Sequence, residues 1–417
     1  MNIVVPMLAL LTGIALSAQT LPQWMALGKE LKAAGNASGA LNAFEQAAAL
    51  NPKSAALQDE VGFLLAVLGR QDEAIRRFDG AIDLDPAYAP AHFHLGVAQW
   101  LRHDPDRAIP LLRQAVKLDS KNAEYRYRLG SMLYDVGHDD EALIELKTSS
   151  TLDPKRAETW NQLGLVEQRR GDHAAARDAY RRAVQLMPGD IKFRNNFGFA
   201  LVDSGAAAQG IAEFETILQR DPENRTAKIN IGYAYLQKGD YDRAVDQFRG
   251  LLAEDPNLPV VHYDLGLALK QKDQLDAARK EFREALRLDP EMVEAYYTLG
   301  IAAWQDGDFD QTIDAMRNAV RRKPGYAEAH YMLGTALKQK GDLAEAAKAL
   351  AEAIRLNPNT PGPFNTLAQV RQAQGDGAGA RELFAQAAEV KRRAEAEQAR
   401  RLGTIGPSAP AMPNARH

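Results

Sequence analysis

The sequence predicts an all-α solenoid of antiparallel helix pairs, and three observations carry that prediction. A motif recurs every 34 residues through most of the 417-residue chain. Each recurrence holds two stretches with apolar residues at helical spacing. No stretch shows the alternation of polar and apolar residues that marks a strand.

Glycine gives the period most directly. Steps of 34 from Gly28 reach Gly62, Gly96, Gly130, Gly164, Gly198, Gly232, Gly266, Gly300 and Gly334, and only the last step departs, at Ala368. The residue before each is apolar, from Leu27 and Val61 to Leu333 and Leu367. Twelve residues beyond the glycine stands alanine, with Gly210 and Thr312 as the exceptions. Four residues further on comes a bulky apolar side chain such as Phe44, Phe78, Tyr180, Phe214, Phe248, Phe282 or Phe384. Proline closes nine of the eleven units, from Pro52 to Pro358, and the units fill residues 21–394 without insertion or deletion.

Each element has a local reason. The runs "AHYMLGTALKQK" and "LAEAAKALAEAIRL" are amphipathic at helical period, and a Gly-Asp pair such as Gly171-Asp172 or Gly239-Asp240 separates such runs. Glycine suits the left-handed residue that closes the first helix. The aspartate caps the second, and Asp342 with Glu345 has the spacing of a capping box. Small residues in the repeated Gly and Ala slots let paired helices approach, and the bulky slot fills the gap. Proline cannot continue the second helix. One pair cannot bury its own apolar face, so successive pairs stack.

The pattern W…LG…Y…A…F…A…P at a 34-residue period resembles the tetratricopeptide repeat family. The first repeat shows it in Trp24, Leu27, Gly28, Ala40, Phe44, Ala47 and Pro52. The resemblance implies a right-handed superhelix in which the first helix of each pair lines a concave groove that holds a protein or peptide. Along that helix, steps of 34 give Phe93, Tyr127, Asn161, Asn195, Ile229, Tyr263, Tyr297, Tyr331 and Asn365. A row four residues on includes Phe63, Val97, Leu165, Phe199 and Tyr233, and Trp100 and Trp304 extend the ribbon. Partner contacts are expected at Phe93, Tyr127, Asn161, Asn195, Tyr233, Tyr263, Tyr297, Trp304 and Tyr331, because aromatic rings with polar tips suit binding surfaces. Leu165 and Phe199 stand where a clamp for carboxylate tails would need asparagine, so such a ligand is not expected.

Composition and spacing narrow the chemistry. The 51 basic and 55 acidic residues nearly balance, which argues against a nucleic-acid partner. With no cysteine there is no disulfide, thiolate metal site or cysteine nucleophile. His92 and His94 lie about 200° apart around one helix and cannot share a metal ion. His92 also occupies a slot held elsewhere by Trp24, Trp160, His262, Tyr296, His330 and Phe364, which reads as a packing slot. Asp85, Asp153, Asp221, Asp255 and Asp289 each precede a closing proline and read as turn residues. No enzyme activity, cofactor or metal is expected.

The ends differ from the array. Residues 1–20, "MNIVVPMLALLTGIALSAQT", carry an apolar core and a small-x-small pattern ending at Ser17, as a secretory signal peptide does. The apolar run is short of the ~20 residues of a membrane span, and no later segment offers one. Residues 395–402 extend the last helix as a polar cap, with Lys391, Arg392, Arg393, Arg400 and Arg401 available to an acidic partner, and 403–417 form a Pro-, Ala- and Gly-rich disordered tail. The expected protein is an exported scaffold of the bacterial envelope, periplasmic or secreted, rather than membrane-anchored by an uncleaved N-terminus. An accessory protein of secreted-polysaccharide synthesis or export, with glycan in the groove, is the alternative.

Overall fold

The computed structural model describes residues 19–403, and every regular element among them is an α-helix. The expected signal segment up to residue 18 and the tail from residue 404 lie outside the described residues. The chain divides into two compact units at Glu213–Phe214.

In the first unit the pairs are α1 (Leu21–Ala33) with α2 (Ala37–Leu50), and α3 (Ala55–Val67) with α4 (Gln71–Leu84). Next come α5 (Ala89–Leu101) with α6 (Pro105–Leu118), and α7 (Ala123–Asp135) with α8 (Asp139–Leu152). Then follow α9 (Ala157–Arg169) with α10 (His173–Leu186), and α11 (Ile191–Asp203); α12 (Ala207–Arg220) contains the division.

The second unit holds α13 (Arg225–Lys238) with α14 (Tyr241–Glu254), and α15 (Pro259–Gln271) with α16 (Leu275–Leu288). It continues with α17 (Val293–Gln305) and α18 (Phe309–Arg322), then α19 (Ala327–Lys340) and α20 (Leu343–Leu356). Last come α21 (Pro361–Ala373) and the long α22 (Gly377–Gly403).

The helix-pair turn is set by one backbone conformation. Nine glycines at this turn have positive φ, Gly239 at 80° among them. In the remaining two turns the position belongs to His103 (φ 61°) and Asp273 (φ 59°), where a Cβ makes the left-handed region costly. Where the next residue is aspartate it caps the second helix: Asp172 accepts from the Ala175 N–H at 3.0 Å, and Asp308 from the Gln311 N–H at 3.0 Å, whereas Arg70, His138 and Gln274 in the same position make no such bond. The capping box expected at Asp342 and Glu345 forms only in part. Asp342 accepts from the Glu345 N–H, but the Glu345 carboxylate pairs with Lys348 at 2.7 Å instead.

Within a pair, the glycine and bulky slots interlock. A Cβ on Gly232 would stand 2.5 Å from the Phe248 ring, and one on Gly266 would stand 2.5 Å from that of Phe282. Phe44, Phe78, Tyr180, Phe248 and Phe282 are accordingly buried. In repeat six a side chain and a backbone carbonyl both close on the slot. A Cβ on Gly210 would meet the Gly198 carbonyl at 2.7 Å, which is why glycine replaces the usual alanine there. The last repeat departs: Ala368 is fully buried in the glycine slot, and Phe384 is 39% exposed.

Ion pairs recur thirty residues apart and tie neighbouring pairs together. The start of one second helix meets the end of the next first helix in Asp72–Arg102 (3.2 Å), Asp310–Lys340 (3.0 Å), Asp139–Arg169 and Asp242–Lys272. Among the described residues no helix is long and apolar enough to cross a membrane.

Candidate functional site: the odd-helix face

The slot that reads as packing from its residue types is also a hydrogen-bonding slot. His92, His262 and His330 place Nε2 2.9–3.0 Å from the carbonyl oxygens of Pro86, Pro256 and Pro324, six residues back. The Trp160 indole donates to the Pro154 carbonyl at 3.1 Å, and Arg126 and Arg194 donate to Ser120 and Pro188. Six of the eleven slot residues thus satisfy a carbonyl at the closing turn, where the second helix has run out of N–H partners. His94 has a different partner, Asp59, so the two histidines of "HFHLG" serve separate ends. Among the described residues no group of three or more His, Asp or Glu side chains is placed to hold a metal. The aspartates before proline accept turn N–H bonds: Asp85 from Ala87, Asp153 from Lys155, Asp255 from Asn257 and Asp289 from Glu291, all at 2.9–3.1 Å.

The expected partner residues all lie on odd-numbered helices. In the first unit Phe93 is half-buried on α5 and stacks on Tyr125 with ring centroids 4.6 Å apart. Tyr127 on α7 is half-buried, with the guanidinium groups of Arg156 and Arg128 5.2 and 5.4 Å from its ring centre. Asn195 on α11 is half-buried. Asn161 on α9 stands apart: it is only 3% exposed, and its Oδ1 accepts from Asn196 Nδ2 at 2.9 Å. Its side chain is spent on the next repeat.

The second unit carries Tyr233, Tyr263, Tyr297, Trp304 and Tyr331, each half-buried. Tyr263 reaches Thr298 Oγ1 at 3.3 Å and lies against Phe282. Tyr297 sits 5.0 Å from Tyr326, and Trp304 5.2 Å from Phe309, between ring centres. The Tyr331 hydroxyl would lie 3.0 Å from a Cβ on Gly362, so that glycine admits the ring. Burial pushes the Tyr263 and Tyr297 phenols up from 10, so both remain neutral hydrogen-bonding groups at physiological pH.

A relation between repeats explains these partners. The residue three before the repeat glycine bonds to the residue two before the next glycine, 35 positions on: Asp59 to His94, Asn161 to Asn196, Tyr263 to Thr298. The same register sets Ile229 opposite Asp264. Asp264 is 8% exposed, and burial alone pushes its carboxyl up to about 7. Stepping by 35 rather than 34 would have shown this ladder in the sequence. The first unit also holds a cleft of about 470 Å³ between α3 and α5, lined by Phe63, Val67, Phe93, Val97 and Leu101. The basic residues expected at the terminal helix are partly engaged: Arg393 with Glu389 at 2.8 Å and Lys391 with Glu395 at 3.8 Å.

Family models identify the repeat along most of the chain. Models described as tetratricopeptide repeat match residues 99–163, 150–291 and 297–361, and a TPR repeat model matches 62–101. No curated protein matches the chain. Among solved structures, MamA is 27% identical over 39% of this chain and 95% of its own, with a TM-score of 0.37. Yeast Tom70 is 14% identical over 93% of this chain and 97% of its own, with a TM-score of 0.48. Pseudomonas aeruginosa pilF is 21% identical over 53% of this chain and 97% of its own, with a TM-score of 0.43. With its 34-residue units, its paired helices and these matches along most of its length, the chain belongs to the tetratricopeptide repeat family.

Proposed function

We propose that the protein is an exported scaffold that holds a segment of a partner protein on the face built by its odd-numbered helices. The family is one of protein–protein interaction modules. The observation that carries the finer reading is the aromatic row. Phe93 and Tyr127 in one unit, and Tyr263, Tyr297 and Tyr331 in the other, recur in register and stay half-buried. Half-buried rings held by neighbours lose little entropy on binding and present both an apolar face and a hydroxyl. Export is read from residues 1–20, with a mature start near Ala18.

The test is a Tyr263→Ala, Tyr297→Ala, Tyr331→Ala triple variant, compared with the unaltered chain by crosslinking and pull-down from the native host. Retained helical circular dichroism with loss of the captured partner supports the reading. A folded triple variant that captures the same partner equally well sinks this row as the site.

A further inference from the structure

We propose that the cleft between α3 and α5 takes a short amphipathic helix of the partner protein, anchored by two turns' worth of apolar side chains. This deepens the reading above and rests on it.

The first observation is a break in the repeat pattern. Five residues beyond the repeat glycine stand Val67 and Leu101, then Asp135, Arg169, Asp203, Gln237, Gln271, Gln305 and Gln339. The slot is polar in seven consecutive repeats and branched aliphatic in only two, which are adjacent. Val67 is 58% and Leu101 64% exposed, so packing within the chain does not account for either. Large apolar side chains left in water side by side mark a contact surface.

The second observation is the shape of the apolar surface. Phe93, Val97 and Leu101 follow one another at four-residue steps along α5, and Phe63 and Val67 do the same along α3. Residues four apart share a helix face. Eight residues of helix cover ~12 Å, the length over which a partner helix presents anchors at i, i+4 and i+7.

The third observation is polar. Of the polar residues lining the cleft, Arg128 pairs with Glu124 (2.8 Å) and His94 with Asp59 (2.8 Å). The remaining polar lining residue, Gln71, donates to the Ala66 carbonyl at 3.4 Å. The polar groups of the lining are engaged within the chain, so the cleft selects apolar side chains rather than a charged tail. An extended segment would bring unpaired backbone N–H and C=O groups to walls whose polar groups are already engaged, and each such group left unpaired is costly. A helix satisfies its own backbone and meets the cleft with side chains alone.

The test uses a phage-displayed library of random 16-residue peptides selected on the full chain, and three proteins: the full chain, V67Q/L101Q and the Tyr263→Ala, Tyr297→Ala, Tyr331→Ala variant. V67Q/L101Q places at both positions the residue that later repeats carry, so its melting temperature should match that of the parent. Selected peptides should lack proline, carry apolar residues three and four apart, and gain helical circular dichroism on binding. They should bind V67Q/L101Q at least tenfold more weakly than the full chain. Equal binding to V67Q/L101Q, peptides that bind without gaining helicity, or no enrichment overturns the inference. So does a concentration-dependent dimer of the full chain that V67Q/L101Q abolishes, which would make a second copy the occupant. Peptides lost only from the tyrosine variant would leave the odd-helix face standing and remove this cleft from it. Peptides lost from neither variant would remove both.

Discussion

Nδ1 of His94 lies 2.8 Å from Oδ1 of Asp59, one repeat earlier, and Asp59 is only 3% exposed. The imidazole is thus the partner of a carboxylate that water scarcely reaches. Replacing His94 by Ala leaves a buried acceptor without its donor, which costs ~1–3 kcal/mol. His94→Asn, which keeps a donor, should lose less. Hydrogen exchange across α3 and α5 measures the difference; equal protection in both variants would show that the pair adds no stability.

Asp264 gives a pH dependence with a definite sign. Its carboxyl is raised from 3.8 to about 7 by burial, so between those values the folded chain binds more protons than the unfolded one. Stability from this group therefore falls as pH rises from about 4 to about 7. Asp264→Asn, which installs the residue found at Asn196 and Asn230, should stabilise the second unit at pH 8 by up to about 4 kcal/mol, and should have little effect near pH 4. Melting curves at the two pH values decide it, and a variant no more stable than the parent at pH 8 would refute the burial argument.

The two turns without glycine store backbone strain. His103→Gly relieves a left-handed residue with a Cβ and should raise stability by about 1 kcal/mol. Asp273→Gly should gain less, since aspartate tolerates this region better. A drop in melting temperature for His103→Gly would show that its side chain contributes more than its backbone costs.

Glycine to alanine should have opposite effects at two helical sites. At Gly210 the new methyl would meet Val202 at 2.6 Å and the Gly198 carbonyl at 2.7 Å, and the carbonyl belongs to a helix backbone that yields little. A loss of ~1–3 kcal/mol is expected. At Gly80, in α4, no atom lies within 4 Å, and the better helix propensity of alanine should gain up to about 1 kcal/mol. Denaturant unfolding of both variants checks the contrast.

How much of this was legible follows from the distance over which each relation acts. Gly232 with Phe248, and Asp172 with the Ala175 N–H, sit inside one repeat, so the 34-residue period displays such pairs again and again along the chain. The role of the Trp160 slot was half legible. Trp, His and Arg share little in size, and what joins Trp160, His262 and Arg194 is an N–H aimed at a carbonyl six residues back. Aligning residue types by bulk conceals that. Asn161 was placed on the correct helix, but its burial depends on Asn196 in the next repeat, which no reading within one period contains. Asp264 was missed for the same reason, since only the 35-residue register sets Ile229 opposite it.

Export is tested on the protein from its native host. A mature N-terminus near Ala18, found by mass spectrometry, is the expected result, and an intact Met1 in a cytosolic fraction would contradict it.

The most direct measurement asks which face meets the partner. A photo-crosslinking residue is placed in turn at Val97 and Tyr297, on odd-numbered helices, and at the exposed Arg181 and Arg249, on α10 and α14. After irradiation in the native host, crosslinks to a common protein from positions 97 and 297, with none from 181 and 249, are the predicted result. Crosslinks from 181 and 249 with none from 97 and 297 would place the partner on the opposite face and contradict the assignment.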